Sequence, residues 1–231
     1  MARTPLVVAA LLLAAAGAAR AEHPLVTDDT GTQGRGGWQL ELNGERDRAD
    51  AVLSYGMREN IDLQLGVPWE DNGTHSGVGD LVLDLKWRFY ESGPLKAGLK
   101  PGITLPTGRD AQGLGNGRVT WGAIGVLAYE QESYVLLGNV AYRHNRNTAG
   151  ERTDLMRVSG AVLPSVTKAL RLVLDVAFDT NPDPAADGWL RQVVVGFIYS
   201  VNKDFDFDVG YRRANDPAVD RAVMAGVTLR W

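Results

Sequence analysis

The chain has three histidines, His23, His75 and His144, and no cysteine. None of the histidines has a partner at a metal-holding spacing such as His-x-x-x-His. His75 and Ser76 are neighbours in a glycine-rich stretch, a poor way to fix a nucleophile against its base, and Gly-x-Ser-x-Gly is absent. A lipid hydrolase built on His144 is therefore a minor alternative to solvated loop histidines. Gly113-Leu114-Gly115-Asn116-Gly117 resembles a phosphate-cradling loop, but it follows no parallel-strand unit and opens no helix. Asp179, Asn181, Asp183 and Asp187 could offer oxygens to calcium, yet EF-hand spacing is missing and Pro182 and Pro184 intervene. No catalytic, metal or cofactor site is expected.

Ionic residues at alternate positions point to a different chemistry. From Asp80 to Tyr90, Leu81, Leu83, Leu85, Trp87 and Phe89 fall on one face of an extended chain. Asp80, Asp84, Lys86 and Arg88 fall on the other. Asp62 and Gln64 alternate with Ile61, Leu63, Leu65 and Val67. Arg171 and Asp175 alternate with Leu170, Leu172, Leu174 and Val176, and Asp206 and Asp208 alternate with Phe205, Phe207 and Val209. A strand between lipid and a wet lumen needs such a division. The candidate lumen-lining residues are therefore Asp62, Asp80, Asp84, Lys86, Arg88, Lys96, Lys100, Arg171, Asp175, Asp206 and Asp208. The same counting adds Glu41, Arg143, Arg157, Arg191 and Arg230. Both signs are interspersed, whereas a strongly ion-selective pore would be ringed by one sign. Mixed charges can instead tie across the lumen and narrow it.

The elements that must position these residues read as about twelve strands. They fall roughly at 38–46, 50–57, 61–68, 79–90, 95–105, 118–130, 133–143, 153–165, 169–179, 189–201, 204–212 and 221–231. Many match the ~9–11 residues that cross a bilayer at a tilt. Their connections are alternately tight, as at Gly93-Pro94, and long and polar, as from Pro106 to Gly117. The connection near Asp47-Arg48-Ala49 is a short exception among the long ones. The fold class expected is all-β: a transmembrane antiparallel up-and-down β-barrel, with short turns in the periplasm and long loops outside. Trp38, Trp69, Trp87, Trp121, Trp189, Tyr199, Tyr211 and Trp231 near strand ends suit interfacial girdles. A soluble exported sandwich also alternates and is the less favoured fold.

Composition agrees. Met1-Ala2-Arg3, the apolar run to Ala19 and Ala19-Arg20-Ala21 read as a signal peptide over residues 1–21, cleaved after Ala21. Later segments contain no apolar run of ~18 residues, so no spanning helix is expected. The net charge of −4 becomes more negative when Arg3 and Arg20 leave with the signal, which argues against a nucleic-acid partner. The expected location is the outer membrane of a Gram-negative bacterium. The expected partners are outer-membrane lipid, a small-molecule solute, and the barrel assembly machinery, engaged through the alternating last strand that ends on Trp231.

Residues 22–37 are too polar for a strand and form either a periplasmic tail or a lumen insert, with Asp28 and Asp29 as plug candidates that could pair with lumen Arg or Lys. The barrel itself is expected over 38–231. Pro24 to Thr32, the strand from Gly79 to Phe89, and Leu105-Pro106-Thr107-Gly108 with Gly113 to Gly117 resemble the outer-membrane transporter family named for the meta pathway of phenol degradation. That resemblance implies an outer-membrane barrel that passes aromatic or other small hydrophobic compounds; it implies no catalytic residues. The functional expectation is a passive channel or transporter for small molecules, not an enzyme. The alternative is a structural or ligand-binding barrel with a blocked lumen.

Overall fold

The computed structural model describes residues 23–186, 188–215 and 221–231; the expected signal segment 1–21 and its cleavage point lie outside the described residues, as does Asp187. Thirteen strands are present among them: β1 (Trp38–Glu45), β2 (Arg48–Arg58), β3 (Ile61–Asp71), β4 (Ser76–Val78), β5 (Leu81–Ser92), β6 (Leu95–Leu105), β7 (Thr120–Glu130), β8 (Tyr134–His144), β9 (Asp154–Pro164), β10 (Leu170–Thr180), β11 (Trp189–Ser200), β12 (Phe205–Ala214) and β13 (Arg221–Arg230). Twelve of them pair antiparallel with their chain neighbours, and β1 pairs with β13, which closes the ring. The amide of Trp38 donates to the Trp231 carbonyl at 3.0 Å, and the amide of Trp231 donates back to Trp38 at 3.1 Å. Closure leaves no sheet edge, so backbone polar groups are paired without water, and this allows the wall to sit in lipid.

Only β4 lies outside the ring. The stretch from Trp69 to Val78, expected as one loop, is instead an extension of β3 that folds back on itself, with Trp69 opposite Val78 and Asp71 opposite Ser76. Asn72 makes the reversal: its side-chain oxygen accepts the amides of Thr74 and His75, and Gly73 takes φ +80°. Asn and Gly supply this turn chemistry whatever the hydrophobic pattern on either side.

Side-chain parity divides the wall. Leu63, Leu172, Leu174, Val195 and Phe178 are exposed on the outside, whereas Asp62, Asp175 and Asp208 are buried within the ring. Register carries β5 with them. Leu83 and Leu85 stand opposite Leu65 and Leu63 on the outward side, and Lys86 stands opposite Asp62 on the inward side. The wall therefore presents hydrocarbon outward, as a transmembrane barrel requires.

The interior is not polar throughout. Ala128, Val135, Leu137, Ala161, Leu163, Val173 and Ile198, inward residues of β7 to β11 near the end that carries the short turns, form a buried apolar cluster. That end is called the turn end below, and the opposite end the loop end.

Candidate functional site

Residues 23–37 run inside the ring and touch the wall strand by strand. At one extreme the His23 ring Nδ1 meets Asp208 of β12, and Gly210 on the same strand leaves room for Pro24: a Cβ built there would come within 2.7 Å of the proline. Leu25 packs on the apolar cluster. Next, Asp175 of β10 accepts the amides of Val26 and Thr27 at 2.7 and 2.8 Å and the Thr27 hydroxyl at 2.6 Å. Asn139 of β8 pairs both ways with the backbone of Asp28, accepting its amide at 2.6 Å and donating to its carbonyl at 3.0 Å.

The carboxylates follow. Lys86 of β5 lies 2.8 Å from both Asp28 and Asp29, and Lys100 of β6 lies 2.8 Å from Asp28. Beyond them Thr32 donates to the Glu59 carbonyl, Asp62 of β3 accepts the Gln33 amide, and Gly36 donates to Gly56 of β2 at 2.8 Å. Thr27, Asp28, Asp29, Thr30 and Thr32 are all buried. Unpaired charges in such surroundings would cost several kcal/mol each, so the lysine–aspartate set carries much of the burden of keeping the segment inside.

The remaining sequence candidates sort by height. At the turn end, Arg230 joins Asp206 at 2.8 Å and Gln39 at 2.8 Å, Lys96 reaches Glu130 at 3.1 Å, and Arg88 reaches Glu91 at 3.0 Å. Arg171, half-buried, lies at the start of β10. Asp84 is half-buried, 3.8 Å from Lys100. Asp80 lies at the loop end, where it holds a loop: its two oxygens accept the amides of Gly108 at 2.9 Å and Asn116 at 2.7 Å. The loop so held tucks Leu114, 1% exposed, against Gly77 and Gly79. Higher on the inner wall Arg157 pairs with Asp179, and Arg212 with Glu45.

One inward assignment is corrected. Arg191 is exposed on the outer face with Val193 and Val195, while Gln192 and Val194 turn inward and Gln192 donates to Asp179 at 2.9 Å. Adjacent polar residues at 191 and 192 cannot both face the lumen, and the following run of three valines hides the period. Sequence reasoning missed Asn139 and Leu25, whose roles appear only once the segment is inside the ring.

The geometry contains little that resembles a hydrolase. His144 Nδ1 lies 3.4 Å from Asp154, and that carboxylate also accepts the Tyr142 hydroxyl at 2.6 Å and the Thr153 hydroxyl at 3.2 Å. Among the described residues no serine hydroxyl bonds to the imidazole.

The family model described as "Putative MetA-pathway of phenol degradation" matches residues 24–231. The chain belongs to this family. The match takes in the inner segment almost from its first described residue, together with the barrel. Among solved structures, the KdgM porin resembles the chain at TM-score 0.62 and 8% identity, over 84% of this chain and 98% of the other. The NanC porin does so at 0.61 and 9%, over 83% and 98%. The COG4313 outer membrane channel from Pseudomonas putida F1 does so at 0.57 and 14%, over 84% and 93%. At these identities the likeness is one of fold. No curated protein sequence matches the chain.

Proposed function

We propose that this phenol-degradation family member is a passive outer-membrane channel, not an enzyme, for small molecules with an apolar body, and that residues 23–37 set how far its lumen is open. The turn end then faces the periplasm and the loop end the exterior. One observation carries the reading: near the turn end the inner wall of β7 to β11 is an apolar surface, Val135, Leu137, Leu163, Val173 and Ile198 among its residues, covered by Leu25 of a segment held by ion pairs. A barrel that served only water-soluble solutes would keep this wall polar. Moving the segment aside would offer an aromatic or aliphatic solute a surface on which it loses about 25 cal/mol per Å² of wetted apolar area.

The blocked-lumen alternative is favoured by the number of strands the segment touches. Conductance and liposome swelling separate the two. The channel reading expects the full chain to pass little, and a variant lacking residues 23–33 to conduct ions and admit small aromatic solutes. If the truncated barrel, shown folded by heat-modifiable gel mobility, still passes nothing, the channel reading fails.

A further inference from the structure

The outer face changes character abruptly at the loop end of β11 to β13. One level of the wall carries Val195, Tyr211 and Val223, opposite one another on the three strands. The next level up carries Val193, Arg213 and Arg221, and Arg191 sits one step above Val193. All three arginines have the outward parity of their strands and are exposed. Arg213 and Arg221 are direct cross-strand partners. Arg191 and Arg213 have no side-chain hydrogen bond or ion pair among the described residues. Arg191 and Arg213 thus stand diagonally on neighbouring strands at the rim of the apolar belt, pointing away from the lumen, and Trp189 stands exposed beside Arg191.

We propose that Arg191, Arg213 and Arg221 form a docking surface for the phosphorylated sugar headgroup of an outer-leaflet glycolipid. The arginines are at the right height, because apolar side chains one level below them meet acyl chains. They have the right charge, because Arg191 and Arg213 are exposed cations without a side-chain ion pair among the described residues, and a phosphate supplies one. They have the right shape, because planar guanidinium forks bind phosphate oxygens two at a time. Tryptophan at such a boundary presents an apolar ring to lipid and an N–H to the headgroup. The inference rests on the placement of the loop end at the exterior and is independent of what the lumen passes.

The test uses the full chain refolded in detergent and titrated with lipopolysaccharide, with lipid A stripped of both phosphates, and with phosphatidylglycerol. The double variant R191Q/R213Q is compared with R35Q/R58Q, which removes the same charge from exposed arginines at the turn end. The wild type and R35Q/R58Q are expected to bind lipopolysaccharide equally, and R191Q/R213Q at least tenfold more weakly. Dephosphorylated lipid A is expected to bind the wild type no better than lipopolysaccharide binds the double variant, and millimolar inorganic phosphate is expected to displace nothing. Equal binding by wild type and folded R191Q/R213Q overturns the proposal. So does an equal loss in both double variants, or phosphatidylglycerol binding as tightly as lipopolysaccharide. Should the double variant fail to fold, the single variants R191Q and R213Q are read the same way, each expected to lose severalfold and each counting against the proposal if it does not. Conductance of R191Q/R213Q and of the two single variants is expected to match wild type, so failure of the channel reading and failure of this one are told apart.

Discussion

At the residue scale the interior is organised by a few ionic contacts whose partners lie far apart in sequence. Lys86 is the hinge of the set: it reaches Asp28 and Asp29 at once and is itself 4% exposed. Removing one partner from a buried charge pair costs about 3–5 kcal/mol while the other charge stays buried. Asp28 then keeps Lys100 while Asp29 loses its lysine, and the cheapest response is for the segment to leave. Lys86→Met is therefore expected to raise single-channel conductance and to expose residues 23–37 to protease, whereas Lys86→Arg keeps the segment in place. Unchanged conductance and protection in Lys86→Met would show that the hydrogen bonds to Asp175 and Asn139 suffice without the lysine. The sequence made the ionic alternation legible, Asp62, Lys86 and Asp175 included. It could not say what each charge does, because Asp175 serves the backbone of Val26 and Thr27, a partner some 150 positions away. A tail and an insert have the same polar composition, so residues 22–37 alone leave both readings open.

At the element scale the strands follow from period-two alternation, and their ends from turn residues, which is why most boundaries read from sequence differ from the folded ones by only a few positions. Two things were illegible. The β3–β4 reversal depends on Asn72-Gly73 inside what reads as one polar loop. The apolar inner cluster of β7 to β11 breaks the rule that inward means polar, and only the covering Leu25 explains it. Loop order has its own determinant in Asp80, where a polar residue that reads as lumen-lining instead receives two amides of the 106–117 loop. An amide that loses its acceptor in a part-buried site costs about 1–3 kcal/mol. Asp80→Ala is thus expected to speed hydrogen exchange at Gly108 and Asn116 by about ten- to a hundredfold while leaving the amides of β8 and β9 untouched. Faster exchange across the whole barrel would mean that Asp80 supports the wall and not merely the loop.

At the scale of the whole molecule, the closed ring makes a commitment that no single site makes: every outward side chain has a depth. Leu174, 48% exposed at the middle of β10, stands at mid-height of the apolar belt, and Met156, 46% exposed, lies at the loop end of β9, where its amide donates to Thr180, the last residue of β10. An arginine on the lipid face costs about 2–4 kcal/mol at the midplane and about 0–1 near an interface. Leu174→Arg is therefore expected to lower the unfolding free energy in lipid vesicles by about 2–4 kcal/mol, whereas Met156→Arg leaves it nearly unchanged. In detergent micelles, whose hydrocarbon is thinner and more easily wetted, the gap between the two is expected to shrink. A soluble sandwich would show the reverse dependence, because an arginine on an outer surface in water is harmless and its cost would not scale with distance from the strand ends. Equal and small effects for the two variants in vesicles would mean that the outward face does not meet lipid. In that case the apolar belt would need another partner, and the inner segment would be closing a cavity, not a passage.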